Sequence, residues 1–312
     1  MALTLTQGEE YSTTEMQRAV IDKLVKDSPI LQRLGFVTIL GNSLTYDTIT
    51  TDATANFYSV GSTWTEDTGD VTQATANLTI LGGDADIDNF LLKTRSNKID
   101  LKGTVIGNKV KAVQYAYLDK FYYGVNADDS KQFNGMHTLI ADTTYNSVAE
   151  GTSETVGVIT VTNLRAAKDL ITGFTPDLMV MSKMARRSIS TYLDSVGANF
   201  QRMEDKFGKH VQAFDDCPIA VDDHILNTED ISTGGVWQAG TGDGTTIFFL
   251  TFDDMACAGL HSGDGVQVEP LGSLETKDAS RWRIKWYCSL MFQNIRSCAK
   301  LSGCDPDGTT TA

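Results

Sequence analysis

"SRWRIKWYCSL", residues 280–290, alternates two chemistries along one short run. Arg281, Arg283 and Lys285 take every second position, and Trp282, Ile284 and Trp286 fill the positions between. In a strand, successive side chains leave on opposite faces. Trp282, Ile284, Trp286, Cys288 and Leu290 therefore share one face, and Arg281, Arg283, Lys285 and Tyr287 share the other. A single-strand nucleic-acid reader needs its aromatic rings inside the basic groove. Here the rings point away from the cations, so they belong in a core. The cations form a stripe that reads as a partner surface, not a base reader.

Composition supports that reading. The 312 residues are 41% hydrophobic and 21% charged, which suits a globular chain with room for two domains or one body with a long excursion. A net charge of −14 opposes phosphate binding, which draws on lysine and arginine. The five cysteines are an odd number with no C-x-x-C spacing, so reduced, mostly buried thiols are expected. "MALTLTQGEE" is polar and acidic rather than a signal peptide, and no apolar run approaches the ~18 residues of a membrane span. The expectation is a soluble protein made in a cytoplasm, with no membrane partner.

Outward from the stripe, the most unusual stretch is 34–92. It holds no lysine or arginine but eight acids: Asp47, Asp52, Glu66, Asp67, Asp70, Asp84, Asp86 and Asp88. Eleven threonines lie between Thr45 and Thr79, and runs such as "SLTYDTIT" and "ANLTIL" favour strands around an "EDTGD" turn. A long acidic β-hairpin follows. A two-stranded ribbon is marginal alone in water, so it must lie on something, its own body or another. The acid-rich ribbon and the basic stripe are complementary.

Elsewhere the periodicities change. "STTEMQRAVIDKLV" opens with a capping box, Ser12 and Glu15, and predicts a short amphipathic helix in an N-terminal arm, broken by Pro29. Ile106, Val110, Val113, Tyr117 and Phe121 fall at helical spacing over 98–123, and Gly124 stops the run as a residue able to turn left-handed. Over 160–262, helices ("TVTNLRAAKDLITG", "KMARRSISTYLDSVG") alternate with apolar strands ("DLMVMS", "CPIAVDDHI", "TTIFFLTF"), which predicts a compact α/β unit.

A search for chemistry finds little. "DDCPIAVDDH" gathers Asp215, Asp216, Cys217, Asp222, Asp223 and His224, but at irregular spacing; a loop carrying acids at a strand edge accounts for them. "GTGDGTT", residues 240–246, matches neither phosphate-binding glycine motif and precedes a strand. No G-x-S-x-G elbow exists. Glu66 and Asp67 read as solvated acids, not as an acid/base pair. No catalytic, cofactor-binding or metal residue is therefore assigned, and the protein is read as a non-enzyme.

The order of arm, hairpin, long helix, inserted α/β unit and returning strands resembles the major capsid proteins of tailed bacteriophages, the Hong Kong 97 fold. "DIDNFLLKTRSNKIDLKGTVIGNKVKAVQYAYLDKFYYG" looks like the lead-in and spine helix of that family, ending in Asp119 to Gly124. "NGMHTLI" resembles the segment after the spine. "PDLMVMSKMARRSISTYLDSVG" and "CPIAVDDHI" are similar to the inserted apical domain, and "FLTFDDMACAGLHSGDGVQVEPL" through "AKLSG" to the closing part.

The resemblance implies an α+β chain with an arm (1–36), an extended loop (37–85) and a peripheral domain (86–160 and 265–305) whose spine helix is 98–123. An apical domain (161–264) and a tail (306–312) complete it. It implies a coat protein of the virion, made in the host cytoplasm, whose copies form pentamers and hexamers. A separate scaffolding protein, a portal protein and packaged DNA held without sequence-specific contacts are the implied partners. Some members cross-link through a lysine in the extended loop; 34–92 has none, so that link is excluded. Glu66, Asp67 and Asp70 at the hairpin tip are expected to pair with cations of an adjacent subunit, Arg281, Arg283 and Lys285 being one candidate. Two other readings stand beside this one: an encapsulin-type nanocompartment shell, and a carbohydrate-binding or carbohydrate-active β-rich protein.

Overall fold

The computed structural model describes residues 3–4, 28–51, 53–95, 101–141, 145–151, 155–197, 200–204, 210–231 and 237–311. The helix expected from Ser12 to Val25 lies outside them. β1 (Leu3–Thr4) pairs with β2 (Gly35–Ile39), and β3 (Ser43–Thr51) forms a hairpin with β4 (Asp70–Asn77). β5 (Thr79–Asp88) runs directly into helix α1 (Asn89–Arg95). Asp88 makes that junction, its Oδ1 accepting from the amides of Phe90 (2.8 Å) and Leu91 (3.1 Å) as an N-cap does.

Helix α2 (Leu101–Tyr123) follows; its 23 residues span about 34 Å. It buries Ile106, Val110, Val113, Tyr117 and Phe121, the face expected from their spacing. Gly124 ends it, but not by a left-handed turn. A Cβ there would lie 2.3 Å from the Phe133 carbonyl oxygen, so close backbone approach is what demands glycine. Next come the one-turn helix α3 (Met136–Leu139), β6 (Ser147–Ala149) and β7 (Gly157–Val158).

Two capped helices flank β8 (Leu178–Met181). The Thr160 hydroxyl accepts from Asn163 N (3.2 Å) to start α4 (Val161–Asp169), and Ser182 does the same for Ala185 N (3.2 Å) at α5 (Lys183–Ser195). β9 (Gln201–Glu204), β10 (His210–Phe214) and β11 (Cys217–Val221) follow. The β10–β11 loop is Asp215-Asp216, both at positive φ (49° and 64°), so these acids serve a two-residue hairpin turn. The chain closes through β12 (Glu229–Ile231), β13 (Trp237–Ala239), β14 (Thr245–Leu250), β15 (Cys257–Ser273), β16 (Ala279–Phe292) and β17 (Ala299–Asp305).

Two sheets divide the body. One has the order β1-β2-β15-β16-β5, the other β6-β17-β14-β8-β11-β10-β9 with β7 also on β17. In the second, Met179, Met181, Ile219, Ile247, Phe249 and Leu301 pack under α4 and α5. Leu178, Val180, Ala220 and Phe248 point the other way, into the core around Tyr117, Phe121 and Tyr122 of α2. Covered on both faces, β14 and β17 are buried almost throughout. β17 sits between β14 and β6 in this second sheet, with nearly all its residues buried.

The opening stretch becomes β16, with the predicted faces. Ile284, Trp286, Cys288 and Leu290 are buried, and Trp286 is 0% exposed between Phe36 (5.7 Å) and Tyr117 (4.6 Å, centroid to centroid). Trp282 is partly buried beneath the Lys102 ammonium, 3.9 Å from its ring centre.

Candidate functional site

Two surfaces of the acidic segment bear on function. On the outer face of the first sheet, β5 and β16 are antiparallel neighbours in a register that sets Asp84 opposite Arg283 and Asp86 opposite Arg281. Both pairs are bidentate: Arg283 Nε and Nη2 reach Asp84 Oδ1 and Oδ2 at 2.6 and 2.8 Å, and Arg281 reaches Asp86 at the same two distances. Lys285 Nζ meets Glu269 Oε2 of β15 at 2.6 Å. Hydrogen bonds from Arg283 and Arg281 hold the carboxyls of Asp84 and Asp86 below the usual carboxylate range. All three cations of the stripe expected to face a neighbour's acids are engaged within their own chain. Register, which a sequence does not display, is the reason.

The second surface is the hairpin. β3 and β4 pair from Ser43↔Asn77 to Thr51↔Asp70, in a two-stranded sheet of their own. At its root, Leu44, Tyr46 and Ala76 pack with Ile39, Ala258, Leu260 and Met291. Towards the tip β4 is exposed, including Val71.

The tip, 53–69, is built by one acid. Asp67 Oδ2 accepts from the Thr54 amide (3.0 Å) and hydroxyl (2.5 Å), and Oδ1 accepts from Gly69 N (3.2 Å). These bonds, the Thr54 hydroxyl foremost, hold its carboxyl below the usual range. Within the loop, Tyr58 stacks on Trp64 at 4.4 Å, and its hydroxyl accepts from Thr65 N at 3.0 Å. Phe57 and Val60 are fully exposed and Trp64 is 78% exposed. Of the three tip acids, Asp67 is thus a staple inside the loop, while Glu66 and Asp70 are exposed on the surface. The aromatic content of "ANFYSVGSTW" (55–64) was the overlooked signal: bulky apolar residues in a polar, threonine-rich ribbon.

The remaining polar groups are structural. Asp222 accepts from the Tyr122 hydroxyl (3.1 Å), and His224 Nδ1 lies 2.6 Å from Asp119 Oδ1. Burial opposes charge on His224, yet Asp119 and the nearby Asp222 and Asp223 hold its imidazole above the ordinary value. Among the described residues no three metal-ligating side chains converge. Gly242 of "GTGDGTT" packs against β12, where a Cβ would lie 2.4 Å from Glu229 O.

Glu229, unflagged by sequence, is fully buried where the two cores meet. Its Oε1 accepts from the Tyr123 hydroxyl (2.6 Å) and lies 3.2 Å from His137 Nε2, and its Oε2 accepts from the Thr246 hydroxyl (2.5 Å). Lys300, itself buried, donates to the His137 carbonyl (3.0 Å); burial pushes its ammonium down to about 8 against the pull of Glu229. These contacts tie α2, α3, β12, β14 and β17 together, with His137 Nδ1 left as a buried atom without a hydrogen-bond partner among the described residues.

Comparison with known proteins agrees with the architecture. No family model and no curated protein sequence matches the chain. Among solved structures, it is similar to the SrpI encapsulin of Synechococcus elongatus (TM-score 0.68, 12% identity, covering 92% of this chain and 91% of that one). It is also similar to the capsid of a native GTA particle (0.62, 12%, 90% of each). The structure of Mycobacterium phage Ogopogo matches too (0.61, 16%, 88% of this chain and 91% of that one). The chain has the Hong Kong 97 capsid fold, an α+β fold common to these shells.

Proposed function

We propose that the chain is the major coat subunit of a tailed-bacteriophage head, a non-enzymatic protein whose copies form pentamers and hexamers and close an icosahedral shell around double-stranded DNA. One observation carries the reading: a long hairpin leaves the body and ends in an ordered tip whose Phe57, Val60 and Trp64 meet solvent. A monomer gains nothing from displaying such a ribbon, whereas a neighbour that covers it removes apolar and strand-edge surface from water. Heterologous contacts of this kind close under point symmetry, so one weak contact is repeated throughout the shell. The domain limits carry over: arm 1–36, extended loop 37–85, peripheral parts 86–160 and 265–305, apical part 161–264. A net charge of −14 suits a wall that encloses a polyanion without gripping it. Separate scaffolding and portal proteins are the partners implied for such a head, and the virion is its place of residence.

A second reading keeps the shell and changes the contents: an encapsulin-type compartment around a cargo protein, supported by the likeness to the Synechococcus elongatus encapsulin. Purification of the expressed chain, with negative-stain microscopy and light scattering, tests both. Megadalton spheres are expected. A monodisperse single chain at every concentration would overturn the shell reading, and a small shell formed without scaffolding and filled with one enzyme would favour the compartment.

A further inference from the structure

We propose that Cys257 and Cys298 form a redox pair: two facing thiols that dioxygen, met outside a reducing cytoplasm, closes into a disulfide stapling the first sheet to the second. The pair stands on the chain's own geometry and goes beyond the shell reading. Both cysteines gather on Thr251, in the turn after β14. Thr251 N donates to Cys298 Sγ at 3.4 Å, and Cys257 N donates to the Thr251 oxygen at 3.3 Å, an oxygen that also lies 3.8 Å from Cys298 Sγ. The Cys257 thiol hydrogen-bonds to the Cys298 sulphur, and Met136 Sδ of α3 lies 3.8 Å from Cys257 Sγ. The frame around them is tied on both sides, since Cys257 stands opposite Phe292 at the end of β16 and Gln293 N donates to Ala256 O at 3.0 Å.

A buried free cysteine is ordinarily a small hydrophobe. Cys217 and Cys304 fit that role in the core under α4 and α5, with the carbonyls of Pro176 (3.7 Å) and Leu301 (3.6 Å) as their acceptors. Cys257 and Cys298 have each other. Burial opposes charge on Cys298, but hydrogen bonds from the Cys257 thiol and the Thr251 amide hold it below the ordinary thiol value. Cys298 is therefore the thiolate of the pair. Oxidation breaks two S–H bonds and forms one S–S bond; two protons and two electrons pass to dioxygen, which leaves as hydrogen peroxide. Both side chains are fully buried, so the reaction waits on local opening and is slow.

The position gives the bond its effect. Cys257 is the first residue of β15 and Cys298 immediately precedes β17, so the link crosses from one sheet to the other. Closing the chain from 257 to 298 restricts the unfolded state and raises stability. A particle built from such subunits would harden after release, subunit by subunit, without any new contact between copies.

Diamide, which takes up the two hydrogens as its N=N bond becomes a hydrazine, tests this on the purified native chain. Thiols counted in denaturant should fall from five to three, and dithiothreitol should restore all five. Peptide mapping without reductant should join the segment carrying Cys257 to the one carrying Cys298, within a single chain. A count still at five after prolonged oxidation would overturn the proposal, as would a map that joins other cysteines or two chains. The oxidised chain should unfold about 5 °C above the reduced one. Cys298→Ala should show one midpoint with and without diamide. Equal midpoints for oxidised and reduced native chain would overturn the staple. Mapping uses only the native sequence, so it decides even where Cys298→Ala fails to fold.

Discussion

Trp286 and Trp64 are the same residue under opposite obligations. Trp286 stands on β16 with no exposed surface, wedged against Phe36 and Tyr117; Trp64 stands on the hairpin tip, 78% exposed, with Tyr58 as its neighbour. The acids divide in the same way. Asp84 and Asp86 lie in the body and receive arginines by strand register, whereas Glu66 and Asp70 leave the body with the ribbon. Residues in the body have their partners assigned by the chain's own fold. On the proposed shell reading, residues on the excursion have theirs assigned by assembly, so the two sets should fail in different experiments.

The sharpest break between them is Trp286→Ala, which should cost about 3–5 kcal/mol of stability as a large cavity opens in the core. Urea unfolding of dissociated subunits would measure it. Trp64→Ala should leave the unfolding free energy unchanged within about 0.5 kcal/mol while shell yield falls. Equal unfolding costs would erase the distinction.

Next in size is Lys300. Its native ammonium titrates near 8 instead of the free value of 10.5, so between those limits the unfolded chain holds the extra proton and stability rises with pH. The rise amounts to about 3 kcal/mol at most, one pKa unit being about 1.4 kcal/mol. Lys300→Met subunits should lose that slope between pH 8 and 10; an unchanged slope would count against the buried ammonium as its source.

A smaller effect belongs to the ladder. Asp84 titrates below its unfolded value, so its pairing stabilises above the ordinary carboxylate range and is lost as pH falls through the depressed native value. Arg283→Ala should destabilise at neutral pH by much less than Trp286→Ala and flatten the acid limb of the stability curve. Least of all, Glu66→Ser with Asp70→Ser should weaken the salt dependence of assembly and leave subunit stability untouched. Light scattering across a salt series would detect it.

Legibility in the sequence follows the range of the interaction. The period of two in 280–290 located both faces of β16, and the helical spacing from Ile106 to Phe121 located the buried face of α2, because those signals act over a few residues. The partners of β17, β14 and β6, were not legible because they depend on how distant segments meet. The counter-ions of Arg281 and Arg283 were missed for the same reason: a register of β5 against β16 is invisible until both are paired. Asp67 read as a surface acid because Thr54, thirteen positions away, folds back on it only once the loop exists. Glu229, in "NTEDI", reads as one more solvated acid, and only Tyr123, His137 and Thr246, arriving from three other elements, bury it.

The placement of β17 between β6 and β14 has a consequence for biosynthesis. Translation must pass residue 305 before the strand that joins those two exists, and β2 likewise waits for β15, more than two hundred positions downstream. A polypeptide still on the ribosome therefore lacks a finished body at either sheet, however early its ribbon emerges. On the proposed shell reading, a truncated chain has no finished body to bring to a growing particle.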